Sequence, residues 1–379
     1  MAGELKHIGP PPWNPLACSD TPLAPNGLLM AKLATLLLIA NGFFLHLAAP
    51  FAPLFKQLDV LRGAPEIGRV LQVLFFAASA LLFVNRYVRL SSRLLGILVL
   101  FAQAQSEPAF SGYALICGSV LLLVGLHRRD ERPWLVQWQV ILIYLVAAAN
   151  KIAAPDWSNG SVVAIWLNDD LAHPLAAWFV ALGSEGTVAS IIAWTILCCE
   201  LLFAVGLAVP RTRKWTVFAA IVFHLGMHVA FVSAAMGTYT LAMGIAYLSF
   251  LRWPRSQIVV VWPRACGWPL WMRIALDRFD WDCRLSWPQP PDPDADLEVT
   301  YDGQTFYHWR GLCKLLLAFP AFLFAAFAVL IATQLFLPPS TAASVHVILV
   351  GPMCLFFAVP TLRRAQHRLR RVKKTDAAA

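Results

Sequence analysis

The side chains with reactive chemistry are few, and they fall inside or beside long apolar runs. The segment YLVAAANKIAAPDWSNG places Tyr144 and Lys151 seven residues apart on one helix face, with Ala147, Ala148 and Ala149 between them allowing close packing. Lys151 sits near the end of its run. There it either snorkels its ammonium to an interface or, partly desolvated, favours the neutral amine that can act as a base. FHLGMHVAF carries His224 and His228 at i and i+4, again on one face. Each imidazole can bond a neighbouring helix as a neutral group, or it can hold a ligand or a catalytic proton. No metal is expected at this pair, because two histidines need further ligands and no HExxH glutamate lies between them. Glu200 in ILCCELLFAVG falls near the middle of its run, where an unpaired carboxylate takes up a proton. Its expected partner is His224 or His228, with a neutral acid bonding a backbone carbonyl as the other solution. Cys198 and Cys199 beside it point in different directions and read as inert core residues.

These residues need a scaffold, and composition specifies its class. Of 379 residues, 59% are hydrophobic and 13% charged, against about 25% charged in soluble domains. A water-soluble enzyme and a disordered chain are both excluded. The net charge of +9, from 30 basic and 21 acidic residues, gathers in short clusters between apolar runs, so it reads as membrane topology and not nucleic-acid binding. Eight scattered cysteines give neither a disulfide framework nor a zinc spacing. The opening MAGELKHIGPPPWNPLACSDTPLAPNG has no basic start followed by an apolar run, so no cleavable signal is expected. Apolar runs lie near Gly27 to Ala49, Gly68 to Val84, Leu94 to Gln105, Gly112 to Leu126, Leu135 to Ile152, Thr187 to Val209, Trp215 to Ala235 and Met236 to Leu251. They predict eight helices. The run ending at Gln105 is short of the ~20 residues a span needs, so it either starts inside the arginine-bearing linker or crosses incompletely.

Loop charges orient the spans. Arg86, Arg89 and Arg93, then Arg128, Arg129 and Arg132, then Arg211, Arg213 and Lys214 follow alternate spans, which places those loops inside the cell. The segment from Ile152 to Gly186, with Asp156, Asp169, Asp170 and Glu185, then lies outside and is long enough to hold structure. Most of the fifteen tryptophans fall near span ends as an interfacial belt, whereas Trp157 sits directly after the lysine, within the outer loop. Beyond the eighth span, Arg252 to Arg310 is rich in aspartate and includes WPQPPDPDAD, the mark of a small cytoplasmic insert. Apolar runs near Leu315 to Phe336 and Ala342 to Pro360, with a turn at Pro338 and Pro339, predict a C-terminal transmembrane hairpin. It is followed by the basic tail from Arg363 to Lys374, held by anionic lipid. The reading is an all-α polytopic membrane protein of an inner (plasma) membrane, with both termini cytoplasmic. Its parts are an N-terminal segment 1–26, a bundle 27–253, an insert 254–312, a hairpin 313–362 and a tail 363–379.

The stretch QVILIYLVAAANKIAAPDWSNGSVVAIWL resembles the helix-and-loop signature of the vitamin K-dependent gamma-carboxylase-like, or horizontally transferred transmembrane (HTTM), family. ELLFAVGLAVPRTRKWTVFAAIVFHLGMHVAFVSAAMGTYTLAMGIAYLSFL is similar to later helices of the same domain, and the likeness extends from about Leu29 to Trp253. The resemblance implies an eight-helix bundle with an extracytoplasmic site for a reduced quinone of the vitamin K or menaquinone type. Lys151 would be the base that deprotonates the quinol, and His224 a residue beside the same cavity. Trp157 and Gly160 would belong to the loop motif beyond the lysine, with Glu200, His228 and Tyr144 as polar support. The chain departs from the carboxylase in the segment SEPAFSGYALI, which offers Ser111 and Tyr113 but no histidine, and in Asn150, where a second lysine often stands. A large β-rich substrate domain has no counterpart.

The insert, with VVVWPRACGWPLWMRIALDRFDWDCRL, resembles the DCC family of thiol-disulfide oxidoreductase-like proteins in degenerate form. Cys266 matches the first cysteine of that family's motif, whereas Pro263, Arg264 and Pro269 stand in place of its aspartate, glycine and second cysteine. Cys266 is thus the one redox candidate. Two functions follow. One is a quinol-dependent oxidase or carboxylase-type membrane enzyme. The other is a non-catalytic scaffold or maturation factor for a secreted peptide or protein. Transport ranks last, because it calls for charged groups on several broken spans. The expected partners are membrane lipids, a lipophilic quinol and a secreted peptide or protein, with no nucleic acid. No metal cofactor is expected.

Overall fold

The computed structural model describes residues 22–47, 65–105, 110–128, 131–169, 185–231, 233–251, 257–261, 274–277, 280, 284–288 and 297–351. The basic tail, Cys266 and its neighbours, and most of the N-terminal segment lie outside the described residues. The described part is mostly helical and divides into two compact units, 1–137 with 245–329 and 138–244 with 330–379.

In the first unit, α1 (Pro25–Ala40) starts with a proline at its first turn, where the missing N–H costs nothing and φ is already helical. It is followed by α2 (Phe43–Leu47), α3 (Pro65–Phe83), α4 (Val88–Gln105) and α5 (Gly112–Leu126). The short run ending at Gln105 does begin inside the arginine-bearing linker, which lengthens it to 18 residues. Helices α4 and α5 pack closely through small residues. A Cβ on Gly96 would lie 2.5 Å from the Leu122 backbone nitrogen, so only glycine permits this approach. Arg93 Nε donates to the Gly125 carbonyl at 2.7 Å, capping the end of α5 with a cation where the helix dipole is negative.

The same unit holds a four-stranded sheet, which amends the all-α expectation for the insert. Strands β1 (Ile258–Val261), β2 (Leu285–Ser286), β3 (Glu298–Tyr301) and β4 (Gln304–Tyr307) run in the order β2-β1-β3-β4. β1 is parallel to β2 and antiparallel to β3. The β3–β4 hairpin turns on Asp302 and Gly303, both at positive φ, as a two-residue turn matching strand twist requires. Ile258, Val260, Leu285 and Val299 form its core with Leu315 and Phe319, the former from α12 (His308–Leu317). Residues Arg310–Leu316 and Pro320–Phe336 (α13) meet at a 77° bend, because Pro320 cannot continue the preceding helix.

The second unit contains nearly all of α6 (Trp134–Ala153), then α7 (Pro155–Ser158), α8 (Ser161–Asp169), α9 (Glu185–Ala208), α10 (Arg213–Ala230) and α11 (Ala234–Tyr247). The end of α13 and α14 (Pro339–Gly351) complete it. The described part of the segment after Lys151 holds α7 and α8.

Among the described residues, three helices are long and apolar enough to cross a membrane: Glu66–Phe83, Trp134–Ala153 and Gly186–Ala208. Taking the bent pair as one span makes four. The shorter apolar helices are Pro25–Ala40, Gly112–Leu126 and Pro339–Gly351. Helix α9 shows why these are not soluble-protein helices. It buries Ala189, Ala193, Ile196 and Leu197 on one side, while Ile191, Trp194, Leu202 and Val205 are exposed on the other. A helix apolar all round suits lipid outside and protein inside.

Candidate functional site

The site is assembled in the second unit. Lys151 lies in the last turn of α6, and Glu200 lies fifteen residues into α9. The two helices place Lys151 Nζ 2.6 Å from Glu200 Oε1 and 2.8 Å from Oε2, so the ammonium donates to both carboxylate oxygens. Only 20% of the lysine side chain and 11% of the glutamate side chain remain accessible, which shields the pair from screening and strengthens the attraction. The expected bond from Glu200 to a histidine is therefore corrected. A carboxylate in an apolar helix takes the strongest compensation within reach, and a cation supplies more than a neutral imidazole.

A tryptophan covers this pair. Lys151 Nζ lies 5.0 Å from the centre of the Trp157 ring, within cation–π range. Trp157 is buried and packs edge-on against Trp166 at 5.1 Å, which meets Phe231 at 5.5 Å. The loop that presents it depends on Gly160, whose φ of +83° is unfavourable for any side chain. A Cβ there would lie 2.6 Å from the Ser190 backbone nitrogen of α9. The Ser190 hydroxyl fastens the same turn by donating to the Asn159 carbonyl at 2.9 Å. Trp157 Nε1 is buried with no hydrogen-bond partner among the described residues, an orphaned donor on the ring that faces the amine.

Tyr144 lies two turns before Lys151. Its hydroxyl is 2.7 Å from His224 Nε2. Phe203, Phe223 and Tyr239 enclose the two rings, with Tyr144–Phe203 at 5.4 Å, Phe223–His224 at 5.4 Å and His224–Tyr239 at 5.7 Å. His224 and His228, expected on one helix face, have separate neighbours. His228 is fully buried, and its ring centre is 5.1 Å from that of His346 on α14.

Lys151, Glu200 and Trp157 are thus brought together, as are Tyr144 and His224, with Gly160 fixing the loop. Cys198 is exposed on α9 and Cys199 half-buried, so neither is the core residue expected. They line a shallow groove with Thr187, Ser190, Ile191, Trp194 and Thr195. Among the described residues, no group of three or more histidine, cysteine, aspartate or glutamate side chains can hold a metal ion.

Two polar residues escaped the sequence reading. His346 sits in an apolar run where its histidine was the available signal. Lys32, fully buried in α1, donates from Nζ to the Phe83 carbonyl at 3.2 Å, at the C-terminal end of α3. Its signal was a lone cation at the sixth position of the apolar run that starts at Gly27.

Residues 132–253 match the family model of the HTTM domain, a domain found in vitamin K-dependent carboxylase-like proteins. The match spans about a third of the chain, covers the site from α6 to α11 and, with the apolar helices, supports a membrane protein. No curated protein and no solved structure matches the chain.

Proposed function

We propose that the protein is a membrane enzyme acting on a lipid-soluble quinol, with Lys151 as the base at an extracytoplasmic site. The observation that carries this reading is the shielded Lys151–Glu200 pair under Trp157. A proton moving along the 2.6 Å bond from Nζ to Oε1 converts two buried charges into a neutral amine and a neutral acid. The net charge is unchanged, and a low dielectric makes the neutral form less costly than it is in water. The amine so formed can take the proton of a quinol hydroxyl; the returning ammonium then pairs with the quinolate, and its pairing with Glu200 is restored when that acid loses the proton it took. Trp157 Nε1, without a partner, is a donor suited to a quinol or quinone oxygen, so the residues present fit such a group. A bound quinol supplies the acidic hydroxyl and the electrons for oxygen. The aromatic walls keep water from the amine, and Tyr144 and His224 hold a second proton-bearing pair nearby.

The finer architecture belongs to the same reading. It comprises an eight-helix HTTM-like bundle over 27–253, a C-terminal hairpin over 313–362 and both termini in the cytoplasm of a plasma-membrane protein. The insert over 254–312 is a degenerate DCC-like module in which Cys266 is the remaining thiol of the motif.

The test is oxygen consumption by the detergent-held protein with reduced menaquinone, ubiquinone or vitamin K, set against Lys151→Ala. Turnover above autoxidation that disappears in the variant supports the enzyme. A specific observation favours the second reading, a scaffold or maturation factor for a secreted peptide. Both carboxylate oxygens of Glu200 are taken by Lys151, as in a clamp between α6 and α9. In that case a folded wild type shows no turnover with any quinol, and Lys151→Met is silent.

A further inference from the structure

Gly125, in the last turn of α5, receives two arginines from α4. Arg93 Nε donates to its carbonyl at 2.7 Å, and Arg89 Nε reaches the same oxygen at 3.4 Å. Arg89 Nη2 also reaches the Leu126 carbonyl at 3.4 Å. The two arginines stand at i and i+4, on one face of α4. Close packing holds them there. A Cβ on Gly125 would lie 2.6 Å from Arg93 Cγ and 2.9 Å from the Arg89 carbonyl oxygen, so glycine is what admits the arginine stem. Ser92, between them in the chain, donates to the Leu121 carbonyl at 2.6 Å and fixes the register of the two helices.

This pairing leaves positive charge over. A helix C-terminus offers roughly half an elementary negative charge, set here against two guanidinium groups. Among the described residues no carboxylate pairs with Arg89 or Arg93, and the Nη groups of Arg93 and Nη1 of Arg89 bond nothing. Because both Nε atoms share one oxygen, they stand within about 6 Å of each other, a spacing that the oxygens of one phosphate can bridge. Like charges pinned this closely call for an anion.

We propose that this α4–α5 corner binds the phosphate of an anionic phospholipid, independently of the quinol reading. Guanidinium forks match phosphate oxygens in shape as well as charge. The surroundings identify the phosphate as a lipid's. The corner lies where two apolar helices end, and Tyr87, Leu90, Ile97 and Leu126 are exposed around it, as suits side chains that meet glycerol and acyl chains. Charge selects the headgroup. Arg86 is exposed just before α4, and the segment after α5 carries Arg128, Arg129 and Arg132 against Asp130 and Glu131. The Glu131 carboxylate accepts from the Arg128 backbone N–H at 3.5 Å. A zwitterionic headgroup would bring its own cation into this positive field, whereas an anionic one brings none.

The experiment titrates the full chain, held in a non-ionic detergent, with dioleoyl phosphatidylglycerol or dioleoyl phosphatidylcholine and counts retained lipid by native mass spectrometry. One phosphatidylglycerol per chain, held about tenfold more tightly than phosphatidylcholine, is expected. The double variant Arg89→Gln/Arg93→Gln lowers that affinity to the phosphatidylcholine level. Should it fail to fold, Arg89→Lys/Arg93→Lys keeps two cations for the Gly125 carbonyl but loses the forks, and affinity falls about tenfold. Arg211→Gln/Lys214→Gln removes two exposed cations from another basic loop and keeps the bound lipid, which separates a site from general attraction. Excess inorganic phosphate leaves the lipid in place. The proposal is overturned if the wild type holds both lipids alike, or if a folded Arg89/Arg93 variant holds phosphatidylglycerol as tightly as wild type. Loss of the lipid in the Arg211/Lys214 variant also overturns it, as does displacement by inorganic phosphate, which marks a site for a soluble anion.

Discussion

Lys151–Glu200 and His228–His346 are both polar pairs buried among apolar helices, and each joins residues far apart in sequence. They are stabilised in opposite ways. The first satisfies its charges internally, through two short hydrogen bonds and a tryptophan face. The second is neutral, and one of its rings bonds nothing. A membrane interior tolerates an ionised side chain when an opposite charge sits within bonding distance, so the ion pair can persist without ligand. An unbonded imidazole has no such compensation. The comparison teaches where a proton already present can be transferred, and where a buried polar group is left without compensation among the described residues.

Breaking the ion pair gives the largest effect. Glu200→Gln strands a buried ammonium, and removing one partner of such a pair costs about 3–5 kcal/mol. The loss is read as a fall in apparent Tm in detergent. The double variant Lys151→Met/Glu200→Leu removes both charges, and most of that loss is regained; if it is no more stable than Glu200→Gln, the pair is not the source of the penalty. Next comes the loop. Gly160→Ala forces a side chain to positive φ and against the Ser190 nitrogen, costing about 1–3 kcal/mol. Faster proteolysis between Ala154 and Ser161 is the accompanying sign, and unchanged proteolysis would show that the loop adapts. Tyr144→Phe removes one hydrogen bond to His224, worth about 1 kcal/mol.

Trp157→Phe gives a modest change in stability, because the deleted N–H bonds nothing among the described residues while some buried ring volume is lost. This variant sharpens the comparison, since it keeps a ring over Lys151 while removing the orphaned donor. A loss of about 1 kcal/mol, with a raised apparent KM for quinol, is the expected result. A KM equal to that of the wild type would dissociate the indole from the substrate.

Much of the helical framework was legible because period and length speak directly. The runs at Leu135 to Ile152 and Thr187 to Val209 became helices with ends shifted by only a residue or two. The site was legible by residue type but not by partner. Glu200 clearly needed compensation, yet nothing in its own run says that a cation 49 positions earlier lies opposite. Which faces meet is decided by packing between α6 and α9, a property of the fold. His228 and His346 were hidden for the same reason. The sheet was more readable than the reading allowed. IVVV at Ile258–Val261 is β-branched throughout, and Asp302-Gly303 is a strong hairpin signal. Both were outweighed by the helical character of the rest.

The most direct test of the central claim replaces Lys151 by arginine and follows quinol-dependent oxygen uptake. Arginine keeps a cation for Glu200, and so keeps the clamp, but it stays protonated and provides no neutral amine. The account predicts a folded Lys151→Arg protein with wild-type elution and an apparent Tm close to wild type, and with turnover reduced to the autoxidation background. A Lys151→Arg protein that consumes oxygen as fast as the wild type would contradict it, and would leave Lys151 as a structural cation alone.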